Sequence, residues 1–212
     1  MTGADEDQIK RAQRDRYYMN IAVEVRGRVK AGTDDDQPEG HRGHGANCYG
    51  SKIGAVLVLD DRIIGTGYNG TPSGFTNCLD GGCVRCHDRW LEKEGRVDEM
   101  SDPAHRTGEA LDRCICVHAE QNALLSAARF GVRVEGATLY TTLSPCFGCL
   151  KESIQAGIAR IVYDEKYEAN YSPSLRQQYD ELAAKLPDGL GALTASPAKA
   201  AEGPPDPYET SK

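Results

Sequence analysis

Two short stretches constrain this chain more than anything else in it: "CVHAEQNALL" (Cys116–Leu125) and "LSPCFGC" (Leu143–Cys149). The second sets two cysteines three residues apart, directly after Ser-Pro. Serine is a good helix cap, and proline suits the first helical position, where no backbone donor is required. The motif therefore predicts a helix from Pro145 to Ala156, capped by Ser144, with Cys146 and Cys149 on one face of its first turn. The positive end of the helix dipole favours thiolates, the form of cysteine that ligates metal. The first stretch puts His118 two residues ahead of Glu120. It reads as a helix over Val117–Phe130, stopped at Gly131, with Leu124 and Leu125 fastening it into the core.

Two thiolates alone do not complete a site. A catalytic zinc takes three protein ligands and keeps one position open for water. His118, 28 residues before Cys146, can be the third ligand. Glu120 lies about 200° around a regular helix from His118, which disfavours it as a ligand on the same metal face. It can instead reach the bound water, a general acid/base position. Taken singly, a C-x-x-C is equally a redox pair or half of a structural zinc site, and H-x-E recurs by chance. The combination points to a catalytic metal centre.

Of the eight cysteines, Cys83, Cys86, Cys114, Cys116, Cys146 and Cys149 each stand close to another cysteine or a histidine. The charged start "MTGADEDQIKRAQRDR" lacks the apolar stretch of a signal peptide, and no apolar run approaches a membrane span, so the cytoplasm is the expected compartment. Thiols there stay reduced, and such clustering favours metal binding over packing. The net charge of −7 argues against a nucleic-acid partner, which would require a basic stripe.

Residues Asp5 to Ala31 read as a helix, with Ile21, Val25 and Val29 at four-residue spacing, followed by a Gly/Asp/His-rich loop to residue 47. "KIGAVLVLDDRIIGTGYNG" gives two β-rich runs joined at Asp60-Asp61, hence a hairpin. Residues 71–113 form an irregular, cysteine-bearing insertion. "ATLYTTL" and "RIVYDE" are strands on either side of the second helix. The alternation of strands and helices implies an α/β sandwich with a parallel portion. The partition expected is 1–47 for the N-terminal helix and loop, 48–186 for the main domain, and 187–212 for a disordered tail rich in Pro, Gly and Ala.

The pattern H-x-E…P-C-x-x-C is the signature of zinc nucleobase deaminases. "KIGAVLVLDDRIIGTGYNGTPSG", "HAEQNALLSAARFG", "EGATLYTTLSPCFGC" and "IQAGIARIVYDEKY" resemble, more narrowly, the deoxycytidylate (dCMP) deaminases, especially phage and bacterial ones, over roughly Cys48 to Tyr167. The resemblance implies a three-layer α/β/α cytidine-deaminase-like fold with a central mixed sheet. It implies zinc on His118, Cys146 and Cys149, with Glu120 carrying protons, and hydrolysis of dCMP to dUMP and ammonia for thymidylate synthesis. Other cytosine nucleotides or nucleosides, such as CMP or a modified dCMP, are alternative substrates; nucleic-acid editing and a catalytically inert zinc module are weaker alternatives. Tyr68, Asn69, Gly70 and Ala119 are the implied substrate contacts. A second, structural zinc is implied near the insertion, on Cys48, Cys78, Cys83 and Cys114, with Cys86, His87 and Cys116 as substitutes. Relatives of this kind are commonly homo-oligomers, hexamers or dimers, that respond to dCTP and dTTP.

Overall fold

The computed structural model describes residues 3–27, 45–105, 114–167 and 171–194. A hairpin starts the sheet: β1 (Gly54–Leu59) and β2 (Arg62–Tyr68) pair antiparallel, turning at Asp60 and Asp61 with φ of 50° and 56°. Positive φ at both central residues is what a two-residue hairpin with the natural strand twist requires, and Asp tolerates it better than most side chains. β3 (Thr138–Leu143) pairs antiparallel with β1, and β4 (Arg160–Glu165) and β5 (Leu190–Ala192) follow in parallel, giving the order β2-β1-β3-β4-β5. The sheet is thus mixed, as expected. β5 lies within the segment expected to be tail. Leu190 supplies one apolar contact to the core, too weak a local signal to mark a strand. Residues from 195 onward lie outside those described.

Strand alternation sends side chains to two faces. On one, Val56, Val58, Tyr140 and Val162 pack against Tyr18, Met19 and Ala22 of α1 (Gly3–Val25). Ile21 and Val25 sit at the margin of that contact; Val29, like all residues from 28 to 44, lies outside the described residues. The helix ends six residues earlier than the periodicity suggests, in a turn where Gly27 has φ 82°. Asp15 anchors α1 to the sheet: it accepts from Arg160 Nη1 and Nη2 at 2.7 and 2.6 Å and from the Tyr140 hydroxyl at 2.8 Å, all largely out of solvent.

On the other face, Ala55, Leu57, Leu139 and Ile161 pack against α3 (Ala119–Arg129), α4 (Phe147–Gln155) and α5 (Pro173–Ala183). Three layers result. α3 meets the sheet through Ala119, Ala123 and Ala127, not through a leucine stripe: Leu124 packs at the margin, and Leu125 is 59% exposed. The reason lies opposite. A methyl group on Gly67 would overlap the backbone of Ala119 and Ala123, so the helix lies against strand backbone and leaves room only for alanine. The insertion is less irregular than expected. It contains α2 (Val84–Lys93) and short 3₁₀ turns at Cys78–Asp80, Val97–Glu99 and Pro103–His105. The buried Asp88 carboxylate organises part of it, accepting from the N–H groups of Ser101 (2.9 Å) and Asp102 (3.1 Å) and lying 2.8 Å from His105 Nδ1.

Candidate metal centre and active site

His118 caps α3 in extended conformation (φ −72°, ψ 159°), one residue outside the helix proper. Its backbone N–H donates to Gln121 Oε1 at 2.9 Å, and the Gln121 amide donates to Glu152 of α4 at 3.1 Å, tying the two helix starts together. α4 begins later than its sequence suggests. Cys146, not Ser144, is its cap residue; the Ser144 hydroxyl instead accepts from the Tyr167 N–H at 2.6 Å, which holds the loop after β4 against it. Two tyrosines on the far side pin the turn: Tyr171 accepts from the Phe147 N–H at 2.8 Å, and the Tyr179 hydroxyl donates to the Pro145 carbonyl at 2.8 Å.

These constraints bring three donors together. His118 Nδ1 lies 3.5 Å from Cys146 Sγ and 3.3 Å from Cys149 Sγ, and all three atoms fall within 4.8 Å of one another. Zinc at about 2.3 Å from sulfur and about 2.0 Å from nitrogen, in tetrahedral geometry, needs ligand–ligand edges of about 3.5 to 3.8 Å. The donor set fits such an ion. The hydrogen bond with Cys149, together with the His118 ring, outweighs burial and brings the Cys146 thiol down to about 4. The same pairing and burial push Cys149 up, and hydrogen bonding to Cys146 lifts His118 to about 9 against the effect of burial. A divalent ion binding there would displace protons from these three groups.

Glu120 is 4% exposed, with Oε2 3.6 Å from Cys149 Sγ and Oε1 3.4 Å from the Thr141 hydroxyl. Because His118 sits off the helix, the two side chains converge on one site in spite of their angular separation on a regular helix. Burial pushes the Glu120 carboxyl up. A raised carboxylate next to a metal centre can both accept and return a proton.

Residues 37–165 match the family model described as the cytidine and deoxycytidylate deaminase zinc-binding region. The chain belongs to that family. It is 41% identical over 133 residues to the deoxycytidylate deaminase of Schizosaccharomyces pombe, covering 62% of this chain and 36% of that protein. It is 37% identical over 143 residues to the deoxycytidylate deaminase of Enterobacteria phage T4, covering 59% and 72%. With the Mycobacterium phage D29 enzyme of the same name, identity is 42% over 121 residues, covering 57% and 84%. The chain spans about a third of the length of the fungal relatives it matches. Among solved structures, the apo dCMP deaminase of cyanophage S-TIM5 superposes with a TM-score of 0.50 at 25% identity, covering 84% of this chain and 95% of that one.

In this chain the "GYNG" segment is joined directly to the metal motif. Gly70 and Val117 exchange backbone hydrogen bonds of 3.2 and 2.8 Å, and Asn122 of α3 donates to the Tyr68 carbonyl at 2.7 Å. The Tyr68 side chain is 43% exposed, available at the surface. Asn69 is buried and braces the entry to β1, its Oδ1 accepting from the Ile53 N–H (2.8 Å) and its Nδ2 donating to the Ser51 carbonyl (2.9 Å). Ala119 is fully buried against the sheet; what it can offer a ligand is its main-chain N–H at the first helical position, which has no intrahelical acceptor. Asn122, Thr141, Tyr171 and Tyr179 are not legible from the sequence, since each acts through partners distant in the chain, whereas Gln121, three residues after His118, completes a local capping box.

The remaining six cysteines converge. Cys48, Cys78, Cys86 and Cys116 form one set whose sulfurs lie within 4.8 Å of one another, and Cys83, Cys86, Cys114 and Cys116 form another. The expected quartet of Cys48, Cys78, Cys83 and Cys114 is therefore split, two to each set, while Cys86 and Cys116 belong to both. His87 is in neither set; its ring packs on Tyr49 and Trp90 at centroid distances of 5.3 and 5.8 Å. Each four-sulfur set has the composition of a structural zinc site.

Proposed function

We propose that the chain catalyses hydrolytic deamination of dCMP to dUMP with release of ammonia. The observation that carries this reading is Glu120: a buried carboxylate 3.6 Å from one sulfur of a three-donor metal set, and not itself needed as a ligand. A purely structural metal site has no use for a proton carrier. His118, Cys146 and Cys149 would hold zinc, leaving a fourth position open. Zinc bound so lowers the pKa of a coordinated water toward neutrality. Glu120 takes a proton from the attacking water, protonates ring N3 of cytosine, and returns a proton to the amine leaving C4. One carboxylate thus serves as base and then acid. The Thr141 hydroxyl, 3.4 Å from Glu120 Oε1, orients it. The resemblance of "GYNGTPSG" to the dCMP-specific members supports a nucleotide substrate. Tyr68 and Gly70, held against the metal motif through Val117 and Asn122, and the Ala119 N–H would contact it, with Asn69 positioning the loop.

Glu120→Gln should lower kcat by roughly 10²- to 10⁴-fold while the zinc at His118, Cys146 and Cys149 stays bound; near wild-type turnover would overturn the assignment. Ammonia release measured across dCMP, CMP, deoxycytidine and dCTP tests the substrate. Deoxycytidine turned over as efficiently as dCMP would remove the phosphate from recognition. The family resemblance supports a homo-oligomer regulated by dCTP and dTTP, checked by sedimentation and by repeating the assay with each nucleotide.

A further inference from the structure

We propose that the six cysteines outside the catalytic centre form one binuclear cluster, two tetrahedral divalent ions bridged by the thiolates of Cys86 and Cys116. This goes beyond a single structural zinc and does not depend on the substrate reading. Cys48 and Cys78 complete the shell of one ion; Cys83 and Cys114 complete the other.

Ligand arithmetic favours two ions. The two sets each hold four sulfurs and share two, so all six cysteines are used and each ion is four-coordinate. In each set the four sulfurs lie within 4.8 Å of one another, so each supplies the donor count of one tetrahedral ion. Distances agree. Sulfur–sulfur separations are 3.4 Å (Cys86–Cys114), 3.5 Å (Cys48–Cys86), 3.8 Å (Cys83–Cys114) and 4.0 Å for both Cys48–Cys78 and Cys86–Cys116. These bracket the edge of about 3.8 Å expected of a tetrahedral zinc tetrathiolate, and all are far beyond the roughly 2.05 Å of a disulfide.

Charge does not stand against the second ion. Five of the six side chains are buried, with Cys78 fully so. One divalent ion on four thiolates, with two neutral thiols beside it, and two divalent ions on six thiolates carry the same net charge of about −2, so the second ion adds no buried charge. Backbone donors address the terminal sulfurs, the Gly50 N–H reaching Cys48 Sγ at 3.3 Å and the Tyr49 N–H reaching Cys78 Sγ at 3.5 Å. All-sulfur tetrahedral donors suit zinc. A two-iron, two-sulfide centre takes only four protein thiolates and would leave two of the six unused.

Location explains the use of such a cluster. Its ligands come from the segment entering β1, the 3₁₀ turn at Cys78–Asp80, the start of α2, and the segment entering α3. Apart from the cysteines themselves, Tyr49 is its one hydrophobic neighbour among the described residues. Metal, and not apolar burial, closes this part of the fold.

Three measurements on the full chain test the proposal. Elemental analysis of the protein purified in zinc-sufficient medium should give three zinc per chain. In His118→Ala, which removes the catalytic site alone, two should remain; one remaining would overturn the proposal whatever the substrate assays show. Cobalt(II) substitution of the cluster in the wild-type chain should give magnetically coupled ions with a depressed moment per cobalt, and two uncoupled high-spin ions would overturn the bridging. Cys86→Ser should lose both cluster ions together. Because Cys86→Ser removes a ligand of both ions, the cobalt spectrum of the unmutated chain decides the bridge.

Discussion

Gly67 is the residue at which strand and metal helix come closest, and a single methyl group there makes a quantitative prediction. In Gly67→Ala the new Cβ would overlap the Ala119 carbonyl oxygen and the Ala123 backbone nitrogen, and would stand 3.1 Å from the Ala123 Cα. All three are backbone atoms, so no side chain can turn aside. Restoring ordinary contact requires β2 and α3 to separate by about 1 Å, and overpacking of this kind costs about 1–3 kcal/mol. The displaced helix starts with His118 and Glu120. A misplacement of about 1 Å at reacting groups costs on the order of 10²-fold in rate. Gly54→Ala is the matched control: its Cβ would overlap the Ala22 carbonyl oxygen and lie 2.8 Å from the Arg26 nitrogen, pushing α1 on the opposite face. Steady-state kinetics with dCMP and denaturant unfolding should therefore show similar stability losses in the two variants, but a loss of kcat near 10²-fold only in Gly67→Ala. A Gly67→Ala enzyme within threefold of wild type, with zinc retained, would refute the reasoning.

Other perturbations read different parts of the molecule. Asp15→Ala leaves Arg160 without its bidentate partner and Tyr140 without an acceptor, so urea unfolding should show a loss of about 3–5 kcal/mol. At Asp88, burial disfavours the charge, but the N–H of Ser101, the His105 ring and the N–H of Asp102 outweigh it and hold the carboxyl below its usual range. A depressed carboxylate contributes stability above its unfolded pKa and loses it as pH falls through the folded value. Asp88→Asn should accordingly be less stable than wild type at pH 7, with the gap narrowing below about pH 4. Trp90 is the single tryptophan of the chain and packs on Tyr49 and His87, both next to cluster cysteines. Chelating the cluster metal should shift its emission to the red, and an unchanged spectrum after metal loss would show that this segment holds its shape without the ions.

Local chemistry made the hairpin and the metal motif legible. Two β-rich runs meeting at Asp60-Asp61 leave few alternatives, and His118, Cys146 and Cys149 announce themselves through the Glu and Pro beside them. What was misread depended on partners far away in the chain. α3 carries both an alanine stripe (Ala119, Ala123, Ala127) and an adjacent pair of leucines, Leu124 and Leu125, and only the backbone of Gly67 on another element decides that the alanines face inward. Ser144 beside Pro145 is a plausible cap, yet its hydroxyl accepts instead from Tyr167, 23 positions on. The cysteine spacings announce a metal site but not its membership, because which sulfurs meet depends on how α2 is set against the segments before β1 and α3.

The division of donors along the chain has a consequence for biosynthesis. The six cluster cysteines run from Cys48 to Cys116, and the three donors of the other site from His118 to Cys149. A chain emerging from its N-terminus releases all six before either cysteine of the catalytic set follows them out. The cluster can take up metal at that stage, whereas the His118 site must wait for β3 and α4. Val117, between the last ligand of one centre and the first of the other, already pairs with Gly70 in the finished fold. Assembly in this order would leave the second centre to be completed on a scaffold whose first half is already closed.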